Sequence, residues 1–414
     1  MNAEIIAIGS ELLTPFRQDT NSLHLTGKLN QLGIPVDFKT VVGDRCSNLV
    51  SAARVALSRA DIVVFMGGLG PTEDDLTREA VAEALGLELH RDPEIIAWLR
   101  KRFASRGFPM SDNNLRQADV IAGAEVIKNP RGSAPGQFLQ AEFNRSQKIV
   151  MLLPGPPHEI LPMFDEECMV RLRKLVPVCH MANRVLKVAM IGESEVDRRA
   201  APIYTPHTDI QTTILAHGGE VQLHLRAQAE ALEEAQKKVD TLASQLEDEF
   251  EDFIFSAQGE TLEQIAGYYL QMRGASLAVA ESCTGGMLAQ RITSVSGSSR
   301  YFLGGAVVYD NSIKSLLADV PPLLIAEHGA VSRPVACALA EGIRNRCKAS
   351  LGIGITGVAG PTGGTEEKPV GLVFHALADG NDTQVVERRF PGDRERIRYW
   401  ATTQALDMVR RKLM

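Results

Sequence analysis

The feature that most constrains the fold of this chain is an unbroken apolar run that ends in a glycine-rich turn. Residues 61–66 read Asp-Ile-Val-Val-Phe-Met, and Gly67-Gly68-Leu69-Gly70 follow directly. A short strand without alternation is typical of a parallel sheet that helices cover on both faces. Glycines at its carboxyl end let the main chain approach a ligand, and their N–H groups suit phosphate oxygens. The run therefore predicts a buried parallel strand that leads into a binding loop.

Three acidic residues come next, in the stretch Thr72-Glu73-Asp74-Asp75. Carboxylates repel phosphate, so their position beside such a loop favours a divalent cation between the two groups. The alternative is a plain glycine-rich turn, followed by acidic residues in the first turn of a helix. The stretch has neither the Gly-Lys-Ser/Thr of a P-loop nor the G-x-G-x-x-G of dinucleotide-binding folds. Residue types alone leave both interpretations open.

Strands and helices alternate at short intervals before this stretch. Such alternation predicts a parallel α/β sheet, in which ligands bind beyond the carboxyl ends of the strands. Glu11, Asp44 and the loop 67–75 all follow predicted strands, so we expect them to share one site. Asn21 could join that site from the start of a helix, or it could be a plain helix cap.

Changes in sequence character predict three domains. We expect an N-terminal α/β domain at 1–175, which includes a long helix from Pro93 to Arg106, and a small α+β linker domain at 176–256. Residues 220–227 alternate between apolar and polar, which is typical of a half-exposed strand. An open sheet face indicates that this domain is a spacer or forms a homodimer interface. The remaining residues, 257–414, indicate a second α/β domain.

In this last domain, a turn of small polar residues follows an apolar strand. It reads Glu281-Ser282-Cys283-Thr284-Gly285-Gly286. A small nucleophile between a strand and a helix is the arrangement of a nucleophile elbow, although the G-x-S-x-G pattern is absent. Ser282, Cys283 and Thr284 all compete for that role. The alternative is a helix cap made by Ser282 or Thr284 beside a buried Cys283.

Two further stretches could complete a site around this turn. Tyr309 and Lys314 follow a second apolar strand. A desolvated Lys beside a Tyr can lose its proton near neutral pH and act as a base for a Ser hydroxyl. A third strand leads into Thr356-Gly357-Val358-Ala359-Gly360, whose N–H and hydroxyl donors suit a phosphate or an oxyanion. A flexible surface loop is the alternative for this third stretch.

Composition argues against several classes of protein. The net charge of −7 disfavours direct binding to nucleic acids or membrane surfaces, which needs a basic face. The six cysteines are scattered singly, which favours reduced thiols and a cytoplasmic location. No signal-peptide pattern or membrane-length apolar run is present, so we expect no membrane partner. The histidines lack metal-binding spacing, so no structural zinc is expected.

Taken together, these motifs resemble those of the CinA family of competence- and damage-inducible proteins. The resemblance extends from end to end and rests on four stretches in the same order, Gly67–Asp75, Leu153–Glu159, Ala280–Gly286 and Gly354–Pro361. It implies a three-layer α/β/α N-terminal domain like that of molybdopterin-binding proteins. It also implies a C-terminal α/β domain similar to the PncC-type nicotinamide-nucleotide amidases.

The resemblance implies that the C-terminal domain hydrolyses nicotinamide mononucleotide to nicotinate mononucleotide and ammonia, without a cofactor. Ser282 would be the nucleophile, Lys314 the base and Tyr309 its partner. Thr356 would lie near the reaction centre. The resemblance also selects Ser282 over Cys283 as the nucleophile. The substrate contacts would come from Cys283, Thr284, Gly285, Gly357 and Gly360.

For the N-terminal domain the resemblance implies hydrolysis of ADP-ribose to AMP and ribose 5-phosphate, with a divalent metal (Mg, Mn or Co) and potassium. Asp44, Asp74 and Asp75 would hold metal or position water. The substrate contacts would come from Gly67, Gly68, Gly70, Thr72 and Asn21. Two alternatives stay open for this domain: it only binds a pterin or nucleotide, or it cleaves another dinucleotide such as NAD. A third alternative, for the protein as a whole, is a partner in DNA uptake or recombination.

Overall fold

Alternating apolar strands and helices build two separate α/β units in this chain. The computed structural model describes residues 1–105, 107 and 109–414. The first unit comprises Met1–Met181 and Gln228–Ala235, and the second comprises Ala182–Ala227 and Gln236–Met414.

The first unit contains the predicted parallel sheet, extended by two antiparallel strands. The strands are β1 (Ala3–Ile8), β2 (Val36–Val42), β3 (Ile62–Met66), β4 (Leu89–Arg91), β5 (Asp119–Ile121), β6 (Glu125–Ile127), β7 (Gly136–Phe143) and β8 (Ser146–Leu153). The helices are α1 (Asn21–Gln31), α2 (Cys46–Arg59), α3 (Thr77–Leu85), α4 (Pro93–Ser105), α5 (Pro157–Met163) and α6 (Met169–Leu175). The predicted end of α4 at Arg106 lies outside the described residues. The main sheet has the order β2-β1-β3-β8-β7-β6, in which the first four strands are parallel.

Alternate side chains of the central strands enter two different cores, which makes this a three-layer α/β/α domain. Ile6 and Phe65 pack with α2 and α3 on one face, whereas Ile5 and Met66 pack with α1, α5 and α6 on the other. Every residue of β1 and β3 is buried, as expected for strands that are covered on both sides. The fold class that the apolar run predicted is confirmed.

A small α+β module follows in the chain, as predicted. Its elements are β9 (His180–Ala189), α7 (Glu193–Tyr204), β10 (Ile210–His217), β11 (Glu220–Ala229), α8 (Leu232–Phe250) and β12 (Ile254–Ser256). Its sheet has the order β10-β11-β9-β12, and β11 alternates buried and half-buried side chains. Sequence reasoning missed α7 and β10, because α7 contains Pro202 and most of β10 is exposed.

The rest of the second unit is another α/β fold. Its strands are β13 (Leu277–Glu281), β14 (Phe302–Val307), β15 (Leu351–Gly357), β16 (Leu372–Ala378) and β17 (Thr383–Arg389). Its helices are α9 (Leu262–Met272), α10 (Met287–Thr293), α11 (Asn311–Ala318), α12 (Pro322–His328), α13 (Arg333–Cys347) and α14 (Arg394–Leu413). The sheet has the order β14-β13-β15-β16-β17. Because β14, β13 and β15 are parallel neighbours, the segments that follow them meet at one edge. Among the described residues, no helix is long and apolar enough to cross a membrane.

Candidate active sites

The predicted N-terminal site is a cleft of about 880 Å³ beyond the carboxyl ends of β1 and β3. Every N-terminal residue that the sequence suggested for binding lines this cleft, namely Asn21, Asp44, Gly67, Gly68, Gly70, Thr72, Asp74 and Asp75. Glu11 lines it as well. Residues from separate stretches of the sequence thus lie together at the carboxyl edge of the parallel sheet, where ligands of such folds bind.

The loop after β3 needs glycine where it leaves the strand. Gly68 has a φ of 65°, and a Cβ atom there would lie 2.2 Å from the Thr77 hydroxyl oxygen. That buried hydroxyl donates to the Gly67 carbonyl at 2.8 Å. The buried Arg78 guanidinium donates to the Leu69 carbonyl at 2.8 Å. Two side chains at the start of α3 therefore hold the loop in place.

Thr72 organises the acidic side of the cleft. Its main-chain N–H donates to Asp75 Oδ2 at 2.8 Å, and its hydroxyl donates to the same oxygen. The pKa of the exposed Asp74 is lowered below its ordinary value by its position beside the Thr72 hydroxyl and its own main-chain N–H. Arg116 donates to the Thr72 carbonyl at 3.0 Å and so anchors the loop. Sequence reasoning missed this role of Arg116, for which no local pattern gave a signal.

Asp44 lines the same cleft but belongs to a separate turn. Its Oδ2 accepts from the Ser10 N–H at 2.8 Å, and its own N–H donates to Ser10 Oγ at 3.3 Å. Within the described residues, no three His, Cys, Asp or Glu side chains form a group that could hold a metal ion. Mg²⁺, however, usually uses one or two carboxylates and takes its other ligands from water and substrate phosphates. One or two of the three aspartates therefore fit a cation that takes its remaining ligands from water and substrate.

The turn after β13 is fastened to both neighbouring strands. The Ser282 N–H donates to the Ile355 carbonyl of β15 at 3.0 Å, and the Val308 N–H donates to the Glu281 carbonyl at 2.7 Å. The Glu281 carboxylate accepts from three N–H groups around the start of α10, those of Gly286, Leu288 and Ala289. A turn held in this way can present a nucleophile in one fixed geometry.

The three candidate nucleophiles differ in their surroundings. Cys283 is buried in the apolar core, and burial raises the pKa of its thiol to about 12. A thiol with such a pKa is protonated and inert at neutral pH. Thr284 is fully buried, and its hydroxyl has no hydrogen-bond partner among the described residues. Ser282 retains 9% exposure, so its environment fits a nucleophile better than those of the other two.

Lys314 lies in the first turns of α11 and is only 2% exposed. Its amine donates to the main-chain oxygen of Tyr309 at 3.0 Å. Burial lowers the pKa of Lys314, an effect that the nearby Asp310 carboxylate partly offsets. A Lys with a depressed pKa can take a proton from a hydroxyl group. The environment of Lys314 is therefore that of a candidate base.

The Tyr309 phenol contacts a different element. It is 58% exposed and accepts a hydrogen bond from Arg394 of α14 at 2.8 Å, so its contact with the Lys amine is made by its main chain. Arg394 also donates to the Gly360 carbonyl at 2.8 Å, and Arg398 donates to the Thr284 carbonyl at 2.6 Å. Sequence reasoning missed both arginines. Their i,i+4 spacing, which places them on one helix face, is the signal that could have found them.

Thr356 and Gly357 end β15 beside the Ser282 turn. The buried Thr356 hydroxyl donates to the Ala330 carbonyl at 2.7 Å. A Cβ atom at Gly357 would lie 2.6 Å from the Leu372 carbonyl oxygen, so a side chain does not fit there. The C-terminal candidates all follow or end β13, β14 or β15, namely Ser282, Cys283, Thr284, Gly285, Tyr309, Lys314, Thr356, Gly357 and Gly360.

Three family models match successive parts of the chain. A probable molybdopterin binding domain matches residues 4–174, the damage-inducible protein CinA KH domain matches 183–256, and the CinA C-terminal domain matches 259–413. A CinA-like protein of Koribacter versatilis (strain Ellin345) is 63% identical over 414 residues, which cover 100% of both chains. A CinA-like protein of Acidobacterium capsulatum is 60% identical over the same span, again 100% of both chains. This chain belongs to the CinA family.

CinA-family membership confirms the resemblance that the four sequence stretches indicated. A further CinA-like protein, from Solibacter usitatus (strain Ellin6076), is 46% identical over 413 residues and covers 100% of this chain and 98% of its own. The N-terminal domain has the expected molybdopterin-binding-like character, and the middle module is KH-like.

The burial of Lys314 gives a prediction about stability. The unfolded Lys keeps its proton up to about pH 10.4, whereas the folded Lys releases it at a lower pH because its pKa is lowered. Between these two values the unfolded state binds more protons, so the free energy of unfolding rises with pH. Lys314→Met should therefore stabilise the second unit near neutral pH, and the gain should shrink by about pH 10.

Urea denaturation at both pH values measures this effect. Lys348→Met, which removes an exposed amine, is the matched control and should change the free energy of unfolding little. A loss of stability in Lys314→Met that does not vary with pH would contradict the assigned pKa shift.

Proposed function

We propose that this CinA-family protein is a hydrolase with two activities in pyridine-nucleotide salvage. Its C-terminal domain converts nicotinamide mononucleotide to nicotinate mononucleotide and ammonia. Its N-terminal domain cleaves the pyrophosphate of ADP-ribose to give AMP and ribose 5-phosphate. The observation that carries the proposal is a buried Lys with a lowered pKa, Lys314, on the segment adjoining the Ser282 turn.

In the amidase reaction, the Ser282 hydroxyl attacks the carbonyl carbon of the substrate amide while its proton passes to the neutral Lys314 amine. The Lys314 ammonium then gives its proton to the NH2 group of the tetrahedral intermediate, and the C–N bond breaks to release ammonia. Water hydrolyses the resulting ester, as Lys314 first takes a proton from water and then returns one to the Ser282 oxygen. The main-chain N–H groups of Ala359 and Gly360 stabilise the oxyanion, because the Thr356 hydroxyl donates to Ala330 and the Val358 N–H donates to Leu372.

Two arginines of α14 support a phosphate-bearing substrate. Arg394 and Arg398 hold the carbonyls of Gly360 and Thr284 and the phenol of Tyr309. These contacts bring positive charge to the edge of the sheet where the amide reacts. Guanidinium groups pair well with phosphate oxygens, and nicotinamide mononucleotide carries one phosphate. Tyr309 acts in this proposal through its main-chain oxygen, which orients the Lys314 amine.

In the N-terminal reaction, the N–H groups of residues 68–70 bind the pyrophosphate, since the Gly67 N–H donates to the Leu153 carbonyl. One or two of Asp44, Asp74 and Asp75 would hold a divalent cation which, with potassium, offsets the phosphate charge, and the remaining carboxylate would position water. Thr72 orients the Asp75 carboxylate through two hydrogen bonds. The alternative is an N-terminal domain that only binds a pterin or nucleotide, or that cleaves another dinucleotide such as NAD.

The middle module gives little support for a role in binding DNA. KH domains clamp nucleic acids with a G-x-x-G loop, and residues 183–256 contain no such pattern. The first turn of α7 carries Glu193 and Glu195, whose charges repel phosphate. We retain the expectation of a cytoplasmic homodimer, for which the exposed strand β10 offers a surface.

Ser282→Ala should reduce ammonia release from nicotinamide mononucleotide by about a thousandfold or more, because the attacking oxygen is lost. Cleavage of ADP-ribose should continue, since the change lies in the other unit. Cys283→Ala is the matched control and should keep most of the amidase activity. An inactive Cys283→Ala beside an active Ser282→Ala would show that the nucleophile is wrongly assigned.

Asp75→Asn should raise the Mg²⁺ concentration needed for half-maximal AMP formation by about tenfold or more, because a neutral amide is a weaker ligand than a carboxylate. Glu73→Gln is the control, since Glu73 lies in the same loop and is 97% exposed. Chromatography of AMP against Mg²⁺ concentration measures both variants. An unchanged Mg²⁺ requirement would remove Asp75 from the site, and absence of AMP from the wild type would favour the binding-only alternative.

A further inference from the structure

The connection between β1 and α1 exposes an aromatic ring beside the N-terminal cleft. Phe16 is 92% exposed, although large aromatic side chains gain free energy from burial. Its neighbours in sequence reach the cleft: Leu12, Arg17 and Gln18 line it, whereas Phe16 does not. The exposed ring is thus attached to a segment that already forms one wall of the cleft.

This segment is lightly held. It follows a short 3-10 turn at Ser10–Leu13 and ends where α1 begins at Asn21. Within the described residues, the main chain of Pro15–Gln18 makes no hydrogen bond to other parts of the chain. A small rearrangement of these four residues therefore disrupts little other structure.

The cleft is poor in the two groups that a nucleotide needs most, an aromatic ring and a positive charge. No Phe, Tyr or Trp is among the described residues that line it, although a nucleobase offers a large π face for stacking. Six carboxylates line it, those of Glu11, Asp19, Asp44, Asp74, Asp75 and Glu159. Arg17 is the one Lys or Arg side chain among the described lining residues. An aromatic ring and a permanent positive charge are thus adjacent in sequence, at Phe16 and Arg17.

We propose that Pro15–Gln18 is a nucleotide-recognition arm, in which Phe16 stacks on the base of the bound nucleotide and Arg17 contacts a phosphate. The arm closes when the ligand binds and buries the Phe16 ring. It gives the cleft a preference for nucleoside phosphates over sugar phosphates that lack a base. This inference rests on the proposed N-terminal function, because it assumes that an adenine nucleotide occupies the cleft.

Isothermal titration of the full-length protein with AMP and with ribose 5-phosphate, both in Mg²⁺, tests the arm. Phe16→Ala should weaken AMP binding by about tenfold or more and leave ribose 5-phosphate binding unchanged. Phe16→Tyr keeps the π face and should bind AMP as the wild type does. Arg17→Gln should weaken the binding of both ligands. Leu13→Ala removes another exposed apolar side chain, 62% exposed, and should alter neither.

The outcomes distinguish a failure of the proposed arm from a failure of the proposed N-terminal function. A wild-type protein that neither binds AMP nor cleaves ADP-ribose would overturn the N-terminal function and the arm with it. A wild-type protein that does both, with unchanged AMP binding in Phe16→Ala, would overturn the arm alone. Equal weakening of AMP and ribose 5-phosphate in Phe16→Ala would also overturn base stacking. Because Leu13, Phe16 and Arg17 are all exposed, all of these variants should fold.

Discussion

The proposed chemistry of the second unit depends on the burial of one amine. Lys314 is 2% exposed, and this burial lowers its pKa below that of a Lys in water. Its amine still donates a hydrogen bond to the Tyr309 carbonyl. Helix packing produces this burial. A Cβ atom at Gly342 of α13 would lie 1.7 Å from the Ala318 carbonyl oxygen of α11. Glycine at that position lets α13 approach the helix that carries Lys314.

The parallel arrangement of three strands brings the other candidate residues of the second unit to the edge of the sheet where the Lys314 amine lies. Segments after β13, β14 and β15 share one edge, and main-chain hydrogen bonds of Ser282 and Val308 tie them together. Two arginines of α14 then fasten the outer parts of these segments. The first unit has the same arrangement, because the segments that follow its parallel strands β1 and β3 form the acidic cleft. Both units thus place their candidate site residues at the carboxyl edge of a parallel sheet.

Much of this was predictable from local patterns. The run 62–66 and its glycines indicated a buried strand and a binding loop, and all eight N-terminal candidates line one cleft. The contacts that hold the loops were not predictable. Arg116, Arg394 and Arg398 act on carbonyls 44, 34 and 114 residues away in sequence, and no local pattern records such a partner. The pKa contrast between Cys283 and Lys314 likewise follows from tertiary burial.

The central claim is that the second unit hydrolyses an amide with its own side chains, Ser282 and Lys314. Mass spectrometry of the products formed from nicotinamide mononucleotide by the purified full-length protein, with no metal added, tests it most directly. The account predicts conversion of the amide to the carboxylic acid with release of ammonia. Unchanged nicotinamide mononucleotide would contradict it and would mean that the carboxyl edge of β13–β15 binds a ligand without reacting with it.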